Sequence, residues 1–159
     1  MAQFLKLSSY PLSVLHYIAF GGVLLIFHPI QWVAFNVFGE KAHRGTVIVM
    51  NILLTWSLCF LFSRVKFINK YPIPKNAPII IVSNHQSTYD IPPMYKGFRK
   101  SFPNFVSKKE LGKGIPSVSY NLRHGDNVLI DRNDPRQAIS TLVKFGQKVE
   151  DNKLTAVIF

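Results

Sequence analysis

The 159-residue chain predicts an α/β domain preceded by a membrane-embedded helical pair, and three observations carry that expectation. Two long stretches, Leu7 to Gly39 and Gly45 to Ser63, contain no Asp, Glu, Lys or Arg. Beyond Tyr71, short runs rich in Val, Ile and Phe alternate with helix-like segments, the pattern of an α/β fold. Directly after the first of those runs stand a histidine and a carboxylate, His85 and Asp90, at a strand exit.

Each charge-free stretch is long enough to cross about 30 Å of hydrocarbon as a helix. The polar patch Glu40-Lys41-Ala42-His43-Arg44 separates them. Pro29, Gly21-Gly22, His16 and His28 interrupt the first, so a re-entrant hairpin stands beside two full spans as a reading. Its length, its two prolines and the lack of a small-residue cleavage site argue against a cleaved signal peptide. Tyr10, Trp32 and Trp56 read as interface anchors, and His16 and His28 as interfacial histidines. Lys6, Arg64, Lys66, Lys70 and Lys75 at the two ends outnumber Lys41 and Arg44 between them. That bias places both ends, and the domain that follows, on the cytoplasmic side. Cys59 lies inside the second stretch, so no disulfide framework exists and the thiol reads as packing.

The formal charge is +11, and the residues from Ser63 onward carry 16 basic and seven acidic side chains, a balance of +9. Beside an anionic membrane each nearby Lys or Arg adds about 1 kcal/mol of attraction. A solvated basic face without a specific partner is the plainer alternative. A pI near 10 also raises nucleic acid as a partner. The apolar first half and the absence of an RNA-binding aromatic motif or zinc finger argue against that class. There is no internal repeat, no Gly-rich nucleotide loop and no cysteine-based metal spacing, so no metal is expected, at His124 or elsewhere.

The linker Tyr71 to Asn76 divides the chain into a helical region over residues 1–70 and an α/β domain over 71–159. Strands are predicted over Ile79 to Ser83, Asn104 to Ser107, Asn127 to Asp131 and Leu154 to Phe159. Helices are predicted over Ile91 to Lys100 and Pro135 to Val149. The second has Asp134 as N-cap, Pro135 at its first position, and Ala138, Ile139, Leu142, Val143 and Val149 near helical period, with Lys144 and Lys148 on the solvated side.

His85 and Asp90 are five residues apart. Extended chain would hold them roughly 17 Å apart, and a helix would point them about 140° apart. The segment must therefore turn, with Asp90 in or before the first turn of a helix that Pro92 and Pro93 help to start. So placed, Asp90 orients His85 and stabilises its charged form, and His85 serves as a general base. The plainer alternative is a loop histidine beside a helix-capping aspartate. Ser87 and Thr88 read as helix-starting hydroxyls rather than nucleophiles.

Asn84-His85, four residues, Asp90 and then Ile91-Pro92 resemble the first block of the glycerolipid acyltransferases, the family of 1-acylglycerol-3-phosphate acyltransferases. Lys108-Lys109-Glu110-Leu111 with Ile115-Pro116, and Gly125 through Ile130-Asp131-Arg132, resemble the segments that follow, over residues 71 to 159 in all. The resemblance implies a partial α/β acyltransferase domain that moves a fatty acyl chain from acyl-CoA or acyl carrier protein to the free hydroxyl of lysophosphatidic acid. The product would be phosphatidic acid, made at a phospholipid membrane without a further cofactor. It implies His85 as base, Asp90 as its partner, and Arg132, Gly125 and Lys108 in substrate binding, Arg132 holding the acceptor's phosphate. Without it, Arg132 pairs with Asp131 or Asp134 and Lys108 is surface. The family's third block, Glu-Gly-Thr-Arg, follows a strand like Ala156 to Phe159, where this sequence stops. The expectation is the front part of such an enzyme, with little turnover by itself. The rival reading is a non-catalytic membrane-binding module that keeps the fold.

Overall fold

The computed structural model describes residues 2–68, 70–74 and 76–159, with side chains from Tyr10 onward. Lys6 and Lys75, counted above for orientation, lie outside the described side chains. Two helices come first, α1 (Ala2–Phe38) and α2 (Glu40–Ser57), and the short 3-10 turn Leu58–Leu61 extends the second. Gly39 joins them with φ of 83°, a left-handed conformation that glycine adopts without a Cβ clash. Gly21, Gly22 and Pro29, expected to interrupt the first stretch, lie within continuous helix. Tyr10–Phe38 and Glu40–Leu61 are each long and apolar enough to cross a membrane by length and composition.

The remaining elements are β1 (Ile79–Val82), α3 (Ile91–Gly97), β2 (Pro103–Lys108), α4 (Val118–His124), β3 (Val128–Ile130), α5 (Pro135–Asp151) and β4 (Thr155–Ile158). All four strands fall where the alternation predicts them. They form one parallel sheet in the order β1-β4-β2-β3, with Ile81 opposite Val157, Phe105 opposite Val157 and Lys108 opposite Ile130. α3 is shorter than predicted and ends at Gly97. α4, seven residues with Ser, Tyr and Asn among them, escapes the sequence pattern, because so short a helix shows barely two turns of periodicity.

Two clusters fill the core, one on each face of the sheet. On one face Val47 of α2, 0% exposed, packs with Tyr95, Phe102, Phe105 and Val157. On the other, Phe145 and Val149 of α5 pack with Leu154 and Ala156. Helix α2 is thus a core helix of the α/β domain, and the boundary expected after residue 70 runs through one cluster. An ion pair between Arg44 of α2 and Asp126, just before β3, joins the same two regions.

Helix α5 departs from its predicted face. Asp134 does cap it, accepting from the Gln137 N–H at 3.0 Å. Phe145 and Val149 form the buried stripe, however, while Ile139, Leu142 and Val143 are exposed, and Lys148 reaches Asp126 at 2.5 Å. Only one edge of α5 meets the sheet; on the same side of β1, Ile80 and Val82 are also uncovered.

Candidate active site

In a parallel sheet the chain leaves every strand at the same edge, so β1 and β2 deliver the residues after Val82 and Lys108, and β3 and β4 those after Ile130 and Ile158, to one side. The segment after β1 turns as the spacing requires. Ser87 adopts an extended conformation and caps the 3-10 turn Thr88–Asp90, its Oγ accepting from the Tyr89 N–H at 3.3 Å. That turn runs straight into α3, with Pro92 and Pro93 in its first positions.

Asp90 points backward rather than onto α3. One oxygen, Oδ2, accepts from the Gln86 N–H and the Ser87 N–H at 2.9 Å each, and lies 3.1 Å from His85 Nδ1. Partial burial raises the Asp90 pKa, but the hydrogen bonds from Ser87, Gln86 and His85 outweigh it and hold the carboxyl below its ordinary 3.8. An ionised carboxylate only accepts, so the proton between them sits on Nδ1 and leaves the Nε2 lone pair free. Both readings of Asp90 thus meet in one oxygen, which closes the capping box and orients the imidazole.

The ring of His85 stacks on Phe159, with centroids 4.2 Å apart and planes at 23°, and Phe159 stacks in turn near Phe105. A cavity of about 380 Å³ lies beside Asp90, lined by Leu58, Arg64, Ser83, Asn84, Tyr89 and Asp90 among others.

Helix α1 supports this turn through a residue read above as interfacial. His16 is 1% exposed, and its Nδ1 bonds Ser57 O at 3.0 Å, which requires the proton there. Its Nε2 therefore accepts from the Tyr89 hydroxyl at 3.2 Å, and Tyr89 is the neighbour of Asp90. Burial and nearby Tyr17 push the Tyr89 pKa up, so the hydroxyl stays a donor. His28 stays exposed, as an interfacial histidine would, though its Nδ1 accepts from the Ser117 N–H at 3.0 Å. The available signal was a polar ring in a charge-free helix, which needs a buried partner.

Lys108 and Arg132 lie at the same edge as His85, on β2 and after β3, both exposed. β1 and β3 are three strand spacings apart, about 14 Å. Neither acid proposed for Arg132 takes it: Asp131 pairs with Lys109, and Asp134 caps α5. Arg132 has no ion pair among the described residues. Gly125 lies before β3, at the opposite edge, and is not brought to His85. A Cβ there would meet Asn121 O and Asn127 Nδ2 at 2.9 Å, so close packing accounts for the glycine. His124 bonds Tyr120 O at 3.0 Å and stacks on the Tyr120 ring. Cys59, read as packing, is exposed. No group of three or more potential metal ligands occurs among the described residues.

No curated protein and no solved structure matches the chain. The profile of the family described as Acyltransferase matches residues 64–159 and so includes β1, the His85–Asp90 turn and every later element. With more than half of its length in that match, the chain belongs to the acyltransferase family.

Proposed function

We propose that the protein is a membrane-bound O-acyltransferase of phospholipid synthesis, moving a fatty acyl group from acyl-CoA or acyl carrier protein to the free hydroxyl of 1-acylglycerol 3-phosphate. The observation that carries the reading is the hydrogen bond between His85 Nδ1 and Asp90 Oδ2, in a chain of the acyltransferase family. His85 Nε2 takes the proton as the acceptor hydroxyl attacks the thioester carbonyl. The C–O bond forms, the C–S bond breaks, and the imidazolium returns its proton to the leaving thiolate. Asp90 stabilises the imidazolium while it exists. Arg132, without an acidic partner at the same edge, is the candidate for the acceptor's phosphate, with Lys108 adding positive potential.

The packing of α2 supports a hairpin that lies in one leaflet rather than one that spans. Val47, Met50 and Leu54 are buried in the protein, so α2 could not cross a bilayer without taking the sheet with it. Helix α1, 37 residues and about 55 Å long, exceeds the hydrocarbon thickness. It exposes Val14, Ile18, Leu25, Val33 and Val37, an apolar face suited to lying in the membrane surface. The basic α/β domain would then rest on the cytoplasmic leaflet. Acyl transfer by the membrane-reconstituted protein and its His85→Ala variant tests the reading. Loss of roughly 10²-fold or more with folding intact supports it, and near-full activity in the variant overturns it.

A further inference from the structure

The edge of the sheet where the strands begin, opposite His85, holds a cleft of about 980 Å³. Arg44, Lys96, Arg99, Lys100 and Lys153 line it, and no acidic residue does. Arg44 is committed to Glu40 and Asp126. The other four form no ion pair among the described residues. Phe67, Phe98 and Ile73 supply apolar wall beside these cations. Like charges gathered in a concave site repel one another and focus a positive potential, which an anion relieves.

Left-handed backbone conformations gather around the cleft. Asn76, Phe102 and Lys153, all lining it, have φ of 56°, 43° and 52°, three of the five non-glycine residues in the left-handed region among the described residues. Lys153 follows the C-cap of α5, where the Leu154 N–H returns to Val149 O at 2.9 Å. Glycine takes that position without steric cost. Here a lysine occupies it, at the rim of the cleft. Such strain gathers where a site is built.

We propose that this cleft is a second binding site, for the phosphate head group of an anionic lipid, with the first apolar part of the lipid against Phe67 and Phe98. The proposal rests on the membrane-bound reading above. The volume suits a head group with its glycerol rather than a lone anion. The chain approaching the cleft carries exposed Phe62, Ile68 and Tyr71 alongside Arg64, Lys66 and Lys70, the mixture of a segment at a lipid surface. Arg44 at this cleft and Leu58 at the cavity beside Asp90 are fourteen residues apart on one helical path, about 21 Å. A lipid held here is therefore bound rather than acylated, and it ties the far edge of the domain to the bilayer.

The test uses the full chain in phosphatidylcholine nanodiscs, titrated calorimetrically with dihexanoyl phosphatidate and, separately, inorganic phosphate. Phosphatidate should bind saturably and more tightly than phosphate. The Arg99→Gln/Lys100→Gln/Lys153→Gln variant should weaken binding about tenfold or more, the value of losing one charged hydrogen bond. Lys153→Gly alone should raise the melting temperature while weakening phosphatidate binding, whereas a merely structural lysine would move only the melting temperature. Equal affinity for inorganic phosphate would overturn the lipid assignment. Absence of saturable binding, or full affinity in the folded triple variant, would overturn the site. Weakened binding in Arg132→Ala would assign the ligand to the other edge and overturn the cleft as its site. Failure of the enzyme reading is seen separately, in acyl transfer.

Discussion

Replacing Asp90 by asparagine removes one charge and, on this geometry, little else. The Gln86 and Ser87 N–H groups both require an acceptor where Oδ2 now sits. They hold the amide oxygen of the introduced asparagine in that place and turn its NH₂ away from His85. The Nδ1–H of His85 keeps its acceptor, so the tautomer with a free Nε2 survives. What is lost is the difference between a charged and a neutral acceptor, about 1–1.5 kcal/mol or roughly tenfold. Partial exposure of both side chains keeps the figure at that level. Asp90→Asn should therefore lower kcat about tenfold, against roughly 10² to 10⁴-fold for His85→Ala. The sign with pH follows from the depressed Asp90 pKa. Its contribution to stability is complete above the ordinary 3.8 and is lost as pH falls through the lower folded value, so wild type and variant should converge in melting temperature there. Steady-state acyl transfer to lysophosphatidic acid across pH, with thermal melts as a folding control, measures both. A loss beyond 10³-fold would mean that the amide flips and reverses the tautomer. No loss at all would remove Asp90 from the proton's path.

Arg132→Ala should raise KM for the phosphate-bearing acceptor with kcat little changed, because the phosphate is present in ground and transition states alike; a fall in folded yield with KM unchanged would make Arg132 structural. Deleting residues 1–62 should abolish cooperative unfolding rather than release a soluble domain. Val47, Met50 and Leu54 together contribute about 5–9 kcal/mol of burial, comparable to the whole stability of a domain; a sharp melt in the truncated chain would refute this. Asp126→Asn should destabilise the protein at neutral pH. Burial pushes the Asp126 pKa up, but Lys148 and Arg44 outweigh it and hold the group below 3.8, so wild type and variant should converge in melting temperature as pH falls through that lower value.

Much of the local structure was determined by sequence alone. Four strands, the capped start of α5 and the turn that joins His85 to Asp90 all depend on residues within a few positions of one another, where period, caps and prolines act. The five-residue spacing demanded a bend, and the chain bends there. The Acyltransferase match over residues 64–159 is likewise a property of the sequence. Tertiary structure decided what depends on distant partners. Hydropathy cannot tell a membrane from a protein core, since both are apolar solvents, so only packing could assign α2 to the sheet beside Val157. His16 finds Tyr89 across 73 residues, and Ser117 reaches His28 across 89, contacts that no local pattern encodes. The order β1-β4-β2-β3 brings Phe159 onto His85 and gathers Arg44, Arg99 and Lys153 around one cleft. Those neighbourhoods exist only once the strands have paired, because the free energy that selects the pairing comes from burying both sheet faces at once.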